Sequence, residues 1–321
     1  MWLLPRIWIF LASLIWLVKS SDYFTEYSEK LGLMFGLSSF IIWATIVALG
    51  TSLPELISGI YAVLGGWLPE YVVDGAVGSN IANILLVFGI WSIVAKKLIV
   101  NTKLIDVDLP FFFISMSMFL FLAWDRVITW QESLFLLAFI VIFILYSIQS
   151  GEHSETVDDK VKEIEHGLEK NAHNLFKYIS IIVVSMAVLA FSAKFLIDSV
   201  LEISTMLWIS SSVLTLSVVA LGTSLPEVLT SVMAIKRGNP GIAFWNVFWS
   251  NTFNLTLITW VPAFFWDLVV SDFTYTTGFG FLVLVSILTI IMTLDNKIVL
   301  REWVALLLLY VLFLAKLTAF I

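Results

Sequence analysis

One nine-residue motif occurs twice in this sequence, and each copy ends in a glutamate. Val47 to Glu55 reads VALGTSLPE, and the same nine letters return from Val219 to Glu227, 172 residues later. Both copies lie inside long apolar runs. A carboxylate at bilayer depth costs roughly 2.5–3.5 kcal/mol on insertion scales. Two carboxylates in equivalent places therefore need a compensating role, and cation binding is the chemistry that suits them.

The residues before each glutamate offer further oxygen atoms. Thr51 and Ser52 lie four and three positions before Glu55, which on a helical turn places them on the face of the carboxylate. Pro54 cannot donate a hydrogen bond to the Gly50 carbonyl, so we expect that backbone oxygen to be unpaired. The second copy repeats these features at Gly222, Thr223, Ser224 and Pro226.

A second motif, Ser-Asn-x-x-Asn, follows each copy of the first. It places Ser79 and Asn83 four residues apart, and likewise Ser250 and Asn254. Small and hydroxyl residues are common in membrane helices for packing alone, but packing does not explain duplication of both motifs with their glutamates. All these groups are oxygen ligands of the kind that Ca²⁺ prefers, and two carboxylates neutralise one divalent ion. The predicted metal ligands are Glu55, Glu227, Thr51, Ser52, Thr223, Ser224, Ser79, Asn83, Ser250 and Asn254.

The composition assigns the chain to the membrane. Sixty per cent of its 321 residues are hydrophobic and 13% are charged, whereas about a quarter of a soluble chain is charged. With no cysteine, disulfides and thiolate metal sites are excluded. We predict an all-α integral membrane protein with ten transmembrane helices. The apolar stretches lie near residues 3–18, 35–64, 72–95, 109–124, 132–148, 177–201, 208–235, 241–264, 273–294 and 300–320.

The repeated motifs divide these helices into two units of five, residues 1–148 and 177–321. Because five is odd, the second unit must enter the membrane inverted, and inverted repeats with a site between them are typical of secondary transporters. Residues 149–176 form an acidic linker, in which the spacing of apolar residues from 157 to 168 predicts an amphipathic helix. It also holds all three histidines, which lack zinc-ligand spacing and are interpreted as solvated.

The distribution of positive charge predicts the orientation. If the N-terminus is outside, 13 of the 17 Lys and Arg residues fall in segments on the cytoplasmic side, including the linker. Arg6, Arg126, Lys194 and Lys316 are the other four. This bias follows the positive-inside rule, so we predict an external N-terminus and a cytoplasmic linker.

The two motifs resemble the alpha repeats of the calcium/cation antiporter superfamily, most closely its prokaryotic sodium/calcium exchanger branch. Gly50 to Glu55, Gly78 to Asn83 and Gly222 to Glu227 carry the resemblance. It implies a ten-helix antiporter in which helices 2, 3, 7 and 8 enclose the ions while helices 1 and 6 slide. Glu55 and Glu227 would be the main Ca²⁺ ligands, shared with Na⁺. No enzymatic activity, cofactor or nucleic-acid partner is implied; a monomer in a prokaryotic inner (cell) membrane is expected.

The second half departs from the family pattern. Asn254 stands where many prokaryotic members have Asp. The resemblance implies that Asn at this position argues against a requirement for potassium. Trp245 and Trp249 stand where the family usually has Gly, so the indoles must displace a helix or fill free space.

Two alternative functions stay open. One is a Ca²⁺/H⁺ exchanger of the same fold, although its Gly-Asn-x-x-Glu type of motif is not found, and the other is a transport-inactive relative.

Overall fold

The computed structural model describes residues 3–35, 48–65, 68–90, 98–99, 102–150, 171–236, 240–293, 297–298 and 300–318. These residues are largely helical. The α-helices are α1 Leu3–Met34, α2 Ala48–Thr51, α3 Leu53–Leu64, α4 Glu70–Ala82, α5 Thr102–Leu122, α6 Trp130–Ser150, α7 Ala172–Leu207, α8 Ser211–Leu214, α9 Ala220–Thr223, α10 Leu225–Lys236, α11 Pro240–Leu255, α12 Leu257–Ala263, α13 Phe279–Thr293 and α14 Leu300–Thr318. The π-helical segments are Asn83–Val87, Thr215–Val219 and Thr274–Gly278. The predicted linker helix, with His153 and His166, lies outside the described residues.

Helices long and apolar enough to cross a bilayer confirm the prediction of a helical membrane protein. Five such helices occur in the described ranges: Leu3–Met34, Glu70–Ile90, Ala172–Leu207, Ser211–Val232 and Thr274–Met292. Shorter apolar helices cover Leu53–Leu64, Asp108–Leu122, Trp130–Tyr146 and Val304–Leu317. The count of ten transmembrane helices stays a prediction.

The two longest helices, α1 with 32 residues and α7 with 36, pack against each other. Leu17 and Leu196 are fully buried in the apolar cluster that joins them, and Arg6 forms an ion pair with Glu202 between the helices. Both helices extend well past the predicted apolar stretches 3–18 and 177–201, because hydropathy locates the hydrocarbon-spanning part of a helix and not its polar ends. The pair therefore forms one continuous unit beside the rest of the chain.

A larger apolar core holds α4, α5, α11, α13 and α14 together. Its fully buried side chains include Val77, Phe112 and Phe313. Gly78 lets α4 approach the start of α9, since a Cβ at Gly78 would lie 2.8 Å from the Cβ of Ala220. This close contact brings the two halves of the sequence together at the level of Ser79.

Two short antiparallel pairs also join the halves. The strands are β1 Leu98–Ile99, β2 Val127–Ile128, β3 Leu268–Val269 and β4 Lys297–Ile298. Strand β1 pairs with β4, and β2 pairs with β3. Beside the second pair, Arg126 donates to Asp272 at 2.5 Å and lies 4.2 Å from the centre of the Tyr275 ring.

Candidate cation site

Each copy of the glutamate motif folds as a helix break followed by a new helix. The breaks fall at Ser52 and Ser224, and α3 and α10 begin at the next residue. Proline is tolerated in a first helical turn because its missing N–H would have no intrahelical partner there. Glu55 and Glu227 therefore both lie in a first turn, where the positive end of the helix dipole favours a carboxylate.

The two glutamates lie close together and are deeply buried. Glu55 is 6% exposed and Glu227 is 1% exposed. They are near enough for their negative charges to repel each other. A pair of buried carboxylates is unstable without positive charge between them, either protons or a cation.

Three hydroxyl groups, those of Thr51, Ser52 and Thr223, lie close to the glutamate of the other half. Ser52 Oγ makes a long hydrogen bond of 3.4 Å to Glu227 Oε1, and Thr51 also lies close to that carboxylate. The hydroxyls of Thr223 and Ser79 lie close to Glu55. Helical spacing alone predicts that Thr51 and Ser52 surround the glutamate of their own motif, Glu55. The structure brings them to the other glutamate, so both motif copies contribute to one site.

We call the two glutamates and the other predicted hydroxyl and amide ligands the cage. Many of its buried oxygens have no hydrogen-bond partner within the described residues. Native proteins pair nearly all such atoms, and a cluster of exceptions needs an explanation such as a bound ion. Their chemistry, carboxylate, hydroxyl and amide oxygen, fits a hard cation such as Ca²⁺ or Na⁺. The atoms are Glu55 Oε1 and Oε2, Glu227 Oε2, Ser79 Oγ, Ser224 Oγ, Ser250 Oγ, Asn83 Oδ1 and Asn254 Oδ1.

Irregular backbone lies beside both asparagines of the second motif. Asn83 begins a π-helical segment, and it donates through Nδ2 to Asn251 Oδ1 at 3.1 Å. Two residues after Asn254 the helix breaks at Thr256, and the Thr259 hydroxyl bonds the Asn254 carbonyl at 3.0 Å. Such π-turns and breaks inside helices are frequent at functional sites. Asn251 was absent from the predicted ligands, although its place in the repeated Ser-Asn pair marked it.

The prediction of an unpaired carbonyl at Gly50 is wrong. Ser21 of α1 donates through Oγ to this oxygen at 2.5 Å. Pro54 does remove the intrahelical donor to this carbonyl. Helix α1 packs so closely here that the Ser21 hydroxyl donates to the carbonyl instead. A Cβ at Gly50 would collide with Thr25 of the same helix, which explains the need for glycine. The helix that the resemblance expects to slide is thus hydrogen-bonded to the first motif.

The two halves differ at the position of Asn246, which lies four residues before Ser250. Asn246 donates through Nδ2 to the Glu227 carbonyl at 3.2 Å and to Ser231 Oγ at 3.1 Å. Aligning the Ser-Asn motifs places Gly75 at the equivalent position of the first half. A small cavity lies there, lined among others by Glu55, Tyr71 and Gly75. The surroundings of the two glutamates are therefore unequal.

The indoles of α11 fill an aromatic cluster between α11, α5 and α6. Trp249 is 1% exposed, and its ring centre lies 4.5 Å from that of Phe143 and 4.8 Å from that of Trp245. Its Nε1 donates to Asp108 Oδ1 at 3.0 Å. Of the two predicted outcomes for these residues, filling of space holds for Trp249. Asp108, a buried carboxylate, is a residue that the sequence analysis missed.

We expect Trp249→Phe to destabilise the protein by about 1–3 kcal/mol, because it removes a buried hydrogen bond to the Asp108 carboxyl while keeping an aromatic ring. The matched change, Trp245→Phe, leaves the bond to Asp108 in place. The measurement is thermal unfolding of both variants in detergent. Equal unfolding temperatures for the two variants would show that the bond to Asp108 contributes nothing.

Comparison with known proteins decides the family. The profile described as sodium/calcium exchanger protein matches residues 6–149 and 177–319, which leaves out the acidic linker. The chain belongs to the sodium/calcium exchanger family. Within it, the chain is close to the prokaryotic exchangers of the calcium/cation antiporter superfamily, as the motifs predicted.

Relatives of this exchanger family align over most of the chain. The sodium/calcium exchanger MaX1 of Methanosarcina acetivorans is 28% identical, covering 96% of this chain and 97% of its own. The membrane protein MJ0091 of Methanocaldococcus jannaschii is 32% identical, over 75% of this chain and 76% of its own. The solved structure of the sodium-calcium exchanger NCX_Mj, soaked with Na⁺ and Sr²⁺, is 28% identical with a TM-score of 0.64, covering 98% of this chain and 99% of its own. These relatives are membrane transporters or membrane proteins, and none is named as an enzyme.

Proposed function

We propose that this chain is a secondary active transporter that exchanges Ca²⁺ for Na⁺ by alternating access, with Glu55 and Glu227 as the central ligands. The observation that carries the proposal is the pair of adjacent buried carboxylates, three of whose four oxygens have no hydrogen-bond partner within the described residues. Thr51, Ser52, Thr223 and Ser224, with the Ser and Asn side chains of the second motifs, complete the cage. The names of the exchangers MaX1 and NCX_Mj support the same ions.

The architecture we propose for this function has ten transmembrane helices in two inverted repeats, residues 1–148 and 177–321. Residues 149–176 are the cytoplasmic linker, and the N-terminus lies outside a prokaryotic cell membrane. Two features support it. Equivalent glutamates lie near each other in the first turns of α3 and α10, and the two longest helices, α1 and α7, pack against each other.

The mechanism follows from charge. An ion-free cage holds two close carboxylates at membrane depth, so moving it across the low-dielectric barrier is costly. Ca²⁺ or Na⁺ compensates that charge, and the loaded states can then switch between the two sides. Because both ions use the same oxygens, binding of one displaces the other, which couples their fluxes.

Uptake of ⁴⁵Ca²⁺ into proteoliposomes tests the coupling ion. Vesicles loaded with Na⁺ and diluted into Na⁺-free buffer, with pH clamped on both sides, are expected to accumulate Ca²⁺. The same vesicles without a Na⁺ gradient but with an imposed pH gradient are the control. Accumulation driven by the pH gradient alone would assign the chain to proton exchange, and no accumulation under either gradient would leave it a transport-inactive relative.

A further inference from the structure

Another buried carboxylate, that of Asp74, lies outside the central cage. Asp74 is in the second turn of α4, within the apolar span Glu70–Ile90, and is fully buried. Its Oδ1 accepts hydrogen bonds from the Ser271 hydroxyl at 2.7 Å and from the Thr274 hydroxyl at 2.6 Å. These bonds link α4 to the segment that leads into α13. They satisfy the hydrogen bonding of one of the two carboxylate oxygens.

The other oxygen is not accounted for. Asp74 Oδ2 is buried and has no hydrogen-bond partner within the described part of the chain. If Asp74 is ionised, its charge lies in a low-dielectric interior, and it forms no ion pair within the described ranges. If it is protonated on Oδ2, that hydroxyl has no acceptor among the described residues, which is also costly. Both protonation states therefore call for a further species next to Oδ2.

The other groups beside Asp74 are also oxygen atoms that can bind a cation. Glu70 lies one helical turn before Asp74, so both carboxylates share one face of α4. The buried Ser212 donates to Glu70 Oε2 at 3.3 Å, and it also lies close to Asp74. Glu70 itself is half-buried, which leaves room for water on its side. The lining thus consists of two carboxylates and one hydroxyl, drawn from α4 and α8.

We propose that Glu70, Asp74 and Ser212 form a second cation site, which takes a partly hydrated divalent ion. Two carboxylates neutralise one divalent charge, and Ca²⁺ accepts water in the coordination positions that protein oxygens leave open. That the ion is Ca²⁺ rests on the proposed function. Asp74 precedes Ser79 by five residues, about 7.5 Å along the helix, so this site is separate from the central cage.

Equilibrium dialysis with ⁴⁵Ca²⁺ on the purified full chain in Na⁺-free detergent tests the proposal. The parent is expected to bind two Ca²⁺ ions per chain and Asp74→Asn only one. Asparagine keeps an oxygen that can accept from Ser271 and Thr274, so the link between the helices is kept and the charge is lost. A second variant, Glu70→Gln, is expected to weaken the same ion at least about tenfold, as loss of 1.4 kcal/mol or more would. Asp267→Asn, at an exposed carboxylate, is the matched control and should bind like the parent.

The double variant Glu55→Gln/Glu227→Gln separates this proposal from the proposed function. It is expected to keep one Ca²⁺ ion, which is lost when Asp74→Asn is added. If the double variant binds as many ions as the parent, the central site is wrong while the Asp74-dependent ion still stands. If Asp74→Asn binds as many ions as the parent, Asp74 only links helices and the second site does not exist.

Discussion

Replacing Glu227 by glutamine is expected to lower Na⁺-driven Ca²⁺ uptake by roughly 100-fold, and replacing Glu55 should have a similar effect. Removing one charge from a buried charged cluster typically costs about 2–5 kcal/mol, and each 1.4 kcal/mol is a factor of ten. Glutamine keeps the size of the side chain and one oxygen, so the loss reports charge and not shape. The measurement is initial ⁴⁵Ca²⁺ uptake into proteoliposomes with equal amounts of each variant.

Glu26→Gln is the control for these variants, since Glu26 makes a solvent-exposed ion pair with Lys30. Pairs of this kind contribute little to stability, and the variant should transport like the parent. Uptake by Glu55→Gln or Glu227→Gln within a factor of two of the parent would remove the glutamates from the transport mechanism.

The second large effect is expected at Gly78. In Gly78→Ala, the new Cβ would lie 2.8 Å from the Ala220 Cβ and 2.9 Å from the Leu216 carbonyl oxygen. Neither neighbour is the flexible end of a side chain, so the two helices must move apart, at a cost of about 1–3 kcal/mol. Because Ser79 is the next residue, the shift also widens the cage. We expect a lower unfolding temperature together with weaker Ca²⁺ binding.

Gly280→Ala supplies the comparison. A Cβ at Gly280 meets nothing within 4 Å, and alanine favours a helix over glycine. This variant should be as stable as the parent or slightly more stable, with unchanged Ca²⁺ binding. If Gly78→Ala behaves like Gly280→Ala in both measurements, the close helix contact is not what holds the cage together.

The central residues could be predicted because they repeat. Two copies of a motif with an intramembrane glutamate constrain function more than either copy alone, and composition is enough to place the chain in the membrane. The chain's hydropathy also located most of the helices. Their ends were less accurate, as α1 and α7 show, since the polar ends of a helix carry no hydropathy signal.

Contacts between distant segments could not be read from spacing. The Ser21 hydroxyl donates to the Gly50 carbonyl only because α1 packs against the first motif. The Ser52 hydroxyl reaches Glu227 only because the helix breaks of the two motifs lie close together. The direction in which Trp249 points is likewise set by its partner Asp108, 141 residues away in the chain. Sequence periodicity describes one helix at a time, whereas each of these contacts joins two separate helical segments. Periodicity alone therefore cannot predict them.

The central claim is that one cation lies between Glu55 and Glu227, and anomalous diffraction from crystals soaked with Sr²⁺ tests it most directly. Sr²⁺ is a divalent ion of the same chemical group as Ca²⁺ and scatters more strongly. We expect an anomalous peak within coordination distance of carboxylate oxygens from both glutamates, which disappears when Na⁺ is raised. A peak that touches neither glutamate, or no peak in crystals of transport-competent protein, would contradict the account.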